Sequence, residues 1–205
     1  MPDHRLVPAR PARGALREKG SRFLAFVLPI ETGEDAAEEI QRLRREYHDA
    51  THVAFAWRIG SGDEARGRAF DDGEPSGIAG KPIASAIEAA GLEDVLVAVV
   101  RYFGGIKLGT AGLSRAYREA AARALSHAGS RLLHKTISVV VTCGYESAGA
   151  LRRLLRPPEV SLSEERFGAE CVFRLAVRTA HLPSLTRALN EARLRHRVET
   201  EVVPD

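Results

Sequence analysis

Hydrophobic and polar residues follow strand or helix periods along most of the chain, and the changes of period divide it into elements. Before residue 130, alternating or wholly apolar runs predict strands over residues 22–28, 52–59, 66–70 and 95–101. Apolar positions spaced three and four apart predict amphipathic helices over residues 34–48, 80–90 and 111–128. The element order β-α-β-β-α-β-α therefore predicts an N-terminal domain in which helices pack on a mixed sheet.

The pattern starts again after residue 133. Alternation predicts strands over residues 134–143, 160–165, 170–178 and 196–203. Helical spacing predicts helices over residues 147–155 and 182–193. The resulting order, βαββαβ, is typical of a ferredoxin-like sandwich. We therefore expect an α+β protein with a boundary near residues 131–133, an N-terminal domain over residues 21–130 and a small C-terminal domain over residues 134–205.

The first 20 residues contain three prolines and show no periodicity, so we expect a mobile basic arm. Charge is concentrated there and in one further stretch, although the net charge is only +3. Residues 1–22 carry six lysines and arginines against two carboxylates, and residues 101–123 carry five against one. Such local basic regions indicate either an anionic partner or simply a solvated surface.

The chain has no apolar run of about 18 residues, which predicts that no helix spans a membrane. It also lacks the apolar segment of a secretory signal, so we expect a cytoplasmic protein. Its two cysteines, Cys143 and Cys171, lie in strand-like apolar runs. We expect them to be reduced core thiols rather than a disulfide or metal pair.

The most unusual stretch begins after the central strand, where residues 101–112 form a glycine-rich basic loop, RYFGGIKLGTAG. The loop leads into a helix whose free N–H groups and dipole favour an anion, with Thr110 as the expected N-cap. Of Tyr102 and Phe103, one must face outward, where it could stack on a base. The predicted anion-binding residues are Arg101, Tyr102, Gly104, Gly105, Lys107, Gly109, Thr110, Gly112, Arg115 and Lys81.

Two observations limit this interpretation of the basic loop. The Gly-Lys-Ser/Thr ending of a P-loop is absent, which disfavours nucleotide hydrolysis of that type. The glycines are equally consistent with a tight strand-to-helix turn that needs them for packing.

Residues 71–80 form an acidic loop, DDGEPSGIAG, in which Asp71, Asp72 and Glu74 lie within four positions. Carboxylates so close together suit Mg²⁺ or a general acid and base. They are also common in exposed turns, which is the interpretation we favour. Lys81, just after the loop, could reach an anion or pair with one of these carboxylates.

Three isolated residues carry weaker signals. His48 and His52 have the spacing of a metal pair, but the helix is expected to end between them, so we expect two independent histidines. Trp57 is expected to be core. Ser76 lacks the G-x-S-x-G frame, which disfavours a serine hydrolase.

The two glycine-rich motifs, DDGEPSGIAGKP and VVRYFGGIKLGTAGLSRAY, together resemble the signature of the IMPACT/YigZ family. The segments KGSRFLAFV and HDATHVAFAW are also similar to that family, and the likeness covers residues 19–128. The chain departs slightly from other members at Ile78, Phe103, Lys107 and Ala111, none of which is a loop glycine.

The resemblance implies more than the spacing does. It implies an N-terminal domain similar to the fourth domain of elongation factor G and to a ribosomal-protein domain, and a C-terminal domain similar to that factor's fifth domain. Eukaryotic relatives regulate translation by competing for the activator of a kinase of an initiation factor. Bacterial members have no firmly assigned reaction.

Three functions follow as hypotheses. The leading one is a nucleic-acid- or ribosome-binding protein with a role in regulating translation, for which RNA or the ribosome is the partner. The second is an enzyme on a phosphorylated or peptide substrate that uses Asp71, Asp72 and Glu74. The third is an adaptor that docks another protein. No cofactor is implied, apart from Mg²⁺ in the second hypothesis, and the sequence gives no oligomeric state.

Overall fold

The computed structural model describes residues 4–62 and 65–199, which divide into two compact units. One unit spans Arg5–Leu132, and the other begins at Leu133 and also includes His4. The strands of the first part are β1 His4–Pro8, β2 Ala12–Glu18, β3 Ser21–Pro29, β4 His52–Ile59, β5 Arg66–Phe70, β6 Val95–Tyr102 and β7 Ser130–His134. Its helices are α1 Gly33–Glu46, α2 Gly80–Ala90 and α3 Gly109–Ala128.

A five-stranded sheet in the order β2-β3-β6-β4-β5 forms the centre of the first unit, while β1 and β7 make a separate two-stranded sheet. Every neighbouring pair in the larger sheet is antiparallel, so the prediction of a mixed sheet is wrong. Strands β3 and β4 run parallel, as a crossover through α1 requires, but β6 lies between them. The order of elements along the chain cannot show that insertion.

The sheet is covered on both faces. Helices α2 and α3 pack on the face that carries Phe23, Val97 and Val99, and α1 packs on the face that carries Phe55 and Leu96. Both faces of β6 are therefore buried, which explains why its sequence is a continuous apolar run rather than an alternation.

The predicted mobile arm is wrong for the described residues before Lys19, because they form β1 and β2. Strand β2 pairs with β3 through a turn at Lys19 and Gly20, both of which have positive φ. Leu16 is buried, and a Cβ at Gly14 would lie 2.7 Å from the backbone nitrogen of Ala124. The strand was missed because its two buried positions are a glycine and a single leucine, which lie between two arginines.

Helix boundaries follow local signals where side chains can cap. Thr32 caps α1 in a reciprocal capping box with Asp35, and Gly91 ends α2 in the left-handed conformation. The predicted cap of α3 by Thr110 is wrong, because the helix starts at Gly109 and the preceding residue is Leu108. Thr110 lies inside the first turn.

The second unit has the element order β-α-β-β-α-β. Its elements are β8 Thr136–Cys143, α4 Tyr145–Arg152, β9 Val160–Phe167, β10 Cys171–Arg178, α5 Leu182–Glu191 and β11 Arg195–Glu199. The strands form an antiparallel sheet in the order β11-β8-β10-β9, and both helices bury leucines against one face. The predicted last strand extended to residue 203, and residues 200–203 lie outside the described part of the chain.

The two cysteines are buried and free, as expected. They are direct cross-strand neighbours, Cys143 on β8 and Cys171 on β10. Burial, with a smaller contribution from Cys171, raises the pKa of the Cys143 thiol. Both behave as small core residues rather than as nucleophiles.

Candidate nucleic-acid interface

The basic loop joins β6 to α3, and most of it is exposed to solvent. Lys107 and Arg115 are exposed, and neither forms an ion pair within residues 4–62 and 65–199. Lys81, at the start of α2, is exposed as well. Lys107 and Arg115 are therefore available to contact an external anion, whereas Lys81 also interacts with the Asp71 carboxylate.

The loop is fixed to the turn between β2 and β3. A Cβ at Gly104 would lie 1.9 Å from the carbonyl carbon of Gly20, a separation that real atoms cannot adopt. The Gly104 N–H donates to Ser21 Oγ at 3.1 Å, and the Phe103 N–H donates to Thr51 Oγ1 at 3.0 Å. Gly104 therefore permits close approach by the chain's own backbone, which supports the packing interpretation at that position.

Of the two adjacent aromatic residues, Phe103 is the one that faces outward. Its side chain is 48% exposed, and Ile106 nearby is 57% exposed. Tyr102 is half-buried, donates a hydrogen bond to Asp49 Oδ1 at 2.7 Å, and lies with its ring 4.5 Å from the guanidinium of Arg22. The hydrogen bond to Asp49, followed by burial, raises the pKa of Tyr102.

The first turn of α3 has no side-chain cap, since Leu108 at the N-cap position offers no acceptor. Gly109 is the first residue of the helix and has φ of +69°. The N-terminal end of α3 is exposed to solvent. Gly109, Thr110 and Ala111 in this first turn are exposed, and Lys107, two positions before the helix, is exposed as well. A helix N-terminus with adjacent cationic side chains provides both hydrogen-bond donors and positive potential for an anion.

Arg101 does not belong to this exposed surface, so its prediction as an anion contact is wrong. The residue is only 5% exposed, and its guanidinium forms an ion pair with Glu74 Oε1. It also lies 5.6 Å from the ring centres of Phe23 and Phe103. Because its strand is central and covered on both faces, its side chain is directed into the protein.

The same carboxylate organises a small buried cluster. Tyr117 on α3 is fully buried, and its hydroxyl donates to Glu74 Oε1 at 2.8 Å. Burial and that hydrogen bond raise the pKa of Tyr117 far above its ordinary value. His52 donates from Nδ1 to the Asp72 carbonyl at 2.7 Å, which leaves Nε2 3.9 Å from Glu74 Oε1.

Tyr117 was not predicted from the sequence, although one signal was available. The residue lies four positions after Leu113, on the apolar face of α3, where a large aromatic side chain implies burial and a hydroxyl that needs a partner. The pairing of that hydroxyl with the acidic loop depends on tertiary contacts alone.

Asp71 holds the acidic loop against the start of α2. One carboxylate oxygen accepts from the N–H groups of Ala79 at 2.9 Å and Gly80 at 2.8 Å, and the other accepts from Gly77 at 2.8 Å. Burial of Asp71 acts to raise the pKa of its carboxyl, but these hydrogen bonds together outweigh it, so the pKa lies below its ordinary value. The Asp71 side chain therefore caps the start of α2 from a position several residues before the helix.

Asp72 connects three elements in a similar way. One oxygen pairs with Arg44 of α1, and the other accepts from the N–H of Val53 at 2.7 Å. The residue has φ of +50°, a conformation that Asp tolerates in turns. The three carboxylates of the acidic loop therefore bind different internal partners and do not converge on one point.

The remaining candidates have ordinary environments. His48 is exposed and follows the end of α1, whereas His52 begins β4, so the two do not share a helix. Trp57 is half-buried against the cluster under α1, so the expectation of a core residue holds only in part. Ser76 is exposed in the turn of the acidic loop.

Residues 4–62 and 65–199 hold no group of three or more His, Cys, Asp or Glu side chains arranged to bind a metal ion. Their helices include none with the length and apolar character needed to cross a bilayer.

Comparison with known proteins identifies relatives along most of the chain. A family model described as the Impact N-terminal domain matches residues 19–125. The chain is 30% identical over 185 residues to IMPACT family member YigZ of Escherichia coli, covering 90% of this chain and 91% of that protein. It is 43% identical over 144 residues to an IMPACT family member of Thermus thermophilus, covering 70% and 76%. A crystal structure of a hypothetical protein superposes with a TM-score of 0.72 at 28% identity, covering 98% of this chain and 100% of that one.

Proposed function

The chain belongs to the IMPACT family, and on that premise we propose that it is a cytoplasmic nucleic-acid- or ribosome-binding protein that takes part in regulating translation. The observation that carries the proposal is the exposed surface at the start of α3. There, Lys107 and Arg115 are exposed without an ion pair in the described part of the chain, beside a helix N-terminus that no side chain caps.

The contacts follow from that geometry. RNA phosphates bind the N–H groups of the first turn of α3, with Lys107 and Arg115 neutralising their charge. Lys81 extends the positive field from the neighbouring helix. Phe103 offers a ring face on which an unpaired base stacks. Arg101 is excluded from this surface because it is paired with Glu74 inside the protein.

The finer description of the fold belongs to the same proposal. We take residues 21–130 as a domain of the kind found as the fourth domain of elongation factor G. Residues 134–205 are then a ferredoxin-like domain, which the strand order β11-β8-β10-β9 and the placement of both helices on one face support. A pair of domains of this kind suits a protein that contacts ribosomal RNA.

A second candidate, a protein-docking adaptor, is favoured by one observation. Phe103 and Ile106 expose apolar side chains on the same loop, and aromatic side chains such as Phe are enriched in the buried cores of protein–protein interfaces. Ribosome binding with and without nuclease treatment distinguishes the two candidates.

Binding to ribosomes and to a labelled RNA oligonucleotide tests the proposal. The double variant Lys107→Ala/Arg115→Ala is expected to bind about tenfold or more weakly near 50 mM salt, because two phosphate contacts are lost. Its slope of log K against log salt should be smaller in magnitude by about 1.4, the value for two contacts on a single strand.

A matched control removes two exposed charges elsewhere. Arg45→Ala/Arg187→Ala changes two exposed helix arginines that are not part of the basic loop and should leave binding unchanged. If the loop variant binds as this control does, the proposal fails. Ribosome binding that survives nuclease treatment and depends on Ile106 rather than on Lys107 would favour the adaptor.

A further inference from the structure

The two outer strands of the five-stranded sheet, β2 and β5, differ in how their free edges are covered. At β2, α3 supplies side chains to the outward-facing carbonyl groups. His127 Nδ1 donates to the Arg13 carbonyl at 2.8 Å, and Arg123 donates to the Ala15 carbonyl at 3.2 Å. This edge is therefore closed to another strand.

Strand β5 has no such cover. All five residues of Arg66–Phe70 are exposed, and within the described part of the chain their backbone groups hydrogen bond only to β4. An uncovered edge leaves alternate N–H and C=O groups available to pair with another extended chain.

A cavity lies on each side of this edge. On the side of α2, a cavity of about 280 Å³ has a lining that includes Gly67 and Ala69 of β5, Ala84 and Ile87 of the helix, and the charged residues Arg58, Arg66, Arg68 and Glu88. On the side of α1, a cavity of about 240 Å³ is lined by residues that include Phe55, Trp57, Arg68 and Phe70. An added strand would direct alternate side chains toward these two sites, because successive residues of a strand point to opposite faces.

The register of β5 on β4 defines what each face can accept. Gly67 pairs with Arg58 and Ala69 with Ala56, so small side chains leave room on the face of α2. Arg68 pairs with Trp57 on the other face. Bulky apolar side chains would fill the first face, whereas carboxylates would face the arginines on the second.

The positive charge of β5 argues against a second copy of this chain as the strand that pairs with its free edge. Arg66 and Arg68 are exposed and form no ion pair within the described residues. Two copies of β5 side by side would bring these arginines together, and like charges across a ladder are destabilising.

We propose that the free edge of β5 binds an extended peptide segment of another protein in which acidic and bulky apolar residues alternate. The segment adds a sixth strand to the sheet, with its carboxylates against Arg66 and Arg68 and its apolar side chains in the cavity beside α2. This site is separate from the basic loop and does not depend on RNA binding there.

The test uses the full chain and an acetylated nine-residue peptide that alternates glutamate and leucine. Binding is measured by fluorescence anisotropy, and amide hydrogen exchange is measured with and without peptide. We expect saturable binding and slower exchange at alternate amides of Arg66–Phe70. The Arg66→Glu/Arg68→Glu variant should bind about tenfold or more weakly, because two attractive cross-strand pairs become repulsive.

Controls separate this mode from simple charge attraction. A peptide of the same composition with its glutamates grouped at one end should bind much more weakly, and the variant Arg45→Glu/Arg187→Glu should bind the alternating peptide normally. Thermal melts check that both variants are folded. Absence of binding, binding that survives Arg66→Glu/Arg68→Glu, or unchanged exchange in β5 would each overturn the proposal. Protection of β5 without peptide, together with a dimer in sedimentation, would also overturn it and identify a second copy as the occupant.

Discussion

The acidic loop and the basic loop have similar sequence features, but their charged side chains have opposite environments in the structure. Both are glycine-rich, both carry a concentrated charge, and both lead into a helix. In the acidic loop, the charged groups are satisfied inside the protein: Asp71 by three backbone N–H groups, Asp72 by Arg44 and a backbone N–H, and Glu74 by Arg101 and Tyr117. In the basic loop, Lys107 remains exposed, and the helix it precedes has no side-chain cap.

The difference shows that charge density does not identify a binding surface. A carboxylate can replace a missing helix cap and stabilise the fold, whereas a cation with no internal partner retains its field for a ligand. Arg101 illustrates the point, because it belongs by sequence to the basic loop and by contact to the acidic one.

Removing the Glu74 carboxylate should have the largest effect on stability. Glu74→Ala leaves Arg101 buried without a counterion and Tyr117 without an acceptor, so we expect a loss of about 3–5 kcal/mol in the free energy of unfolding. Urea denaturation measures it. The exposed Glu38→Ala is the control, and a loss for Glu74→Ala no greater than for this control would contradict a structural role for the acidic loop.

Replacing both Glu74 and Arg101 by apolar residues distinguishes two causes of lost stability, namely an unpaired buried charge and lost packing. The double variant Glu74→Leu/Arg101→Met should recover much of the stability lost in Glu74→Ala, because no uncompensated charge remains. If the double variant is no more stable than Glu74→Ala, packing rather than charge explains the loss.

Asp71→Ala should have a smaller but clear effect. It removes the acceptor for three N–H groups around the start of α2, and we expect a loss of about 2 kcal/mol. The effect should also depend on pH. Because the folded-state pKa lies below the unfolded value, the stabilisation is present above about pH 4 and is lost as the pH falls through the folded pKa.

Comparison of unfolding curves at several pH values checks the sign. The difference in stability between the wild type and Asp71→Ala should shrink on acidification below about pH 4. A difference that stays constant down to pH 2 would show that the carboxylate charge contributes nothing to the cap.

The basic loop should show the smallest effect on stability. Lys107→Ala/Arg115→Ala removes two exposed charges without a partner in the described part of the chain, so the free energy of unfolding should change by less than about 0.5 kcal/mol. Thermal melts measure it, in parallel with the binding assay. A large destabilisation would mean that these cations stabilise the fold, and the contrast between the loops would disappear.

Much of the fold followed from local patterns. Strands β4 and β5 have the predicted ends, and the capping box at Thr32 and the stop at Gly91 were readable because their causes lie within four residues. Strand β2 was not predicted, because its alternation of apolar and polar residues is weak. The strand is stabilised by its pairing with β3 and by the contact of Gly14 with α3.

The candidate site was predictable to a smaller extent. The sequence by itself determined most of the elements, the glycine-rich turn before α3 and its basic character, since these depend on periodicity, composition and neighbouring residues. Only the tertiary structure decided that β6 is inserted between β3 and β4, that Arg101 faces Glu74, and that Lys107 faces solvent. Whether a charge is neutralised depends on residues distant in the chain, here Glu74 and Tyr117 for Arg101, and no local pattern specifies those distances.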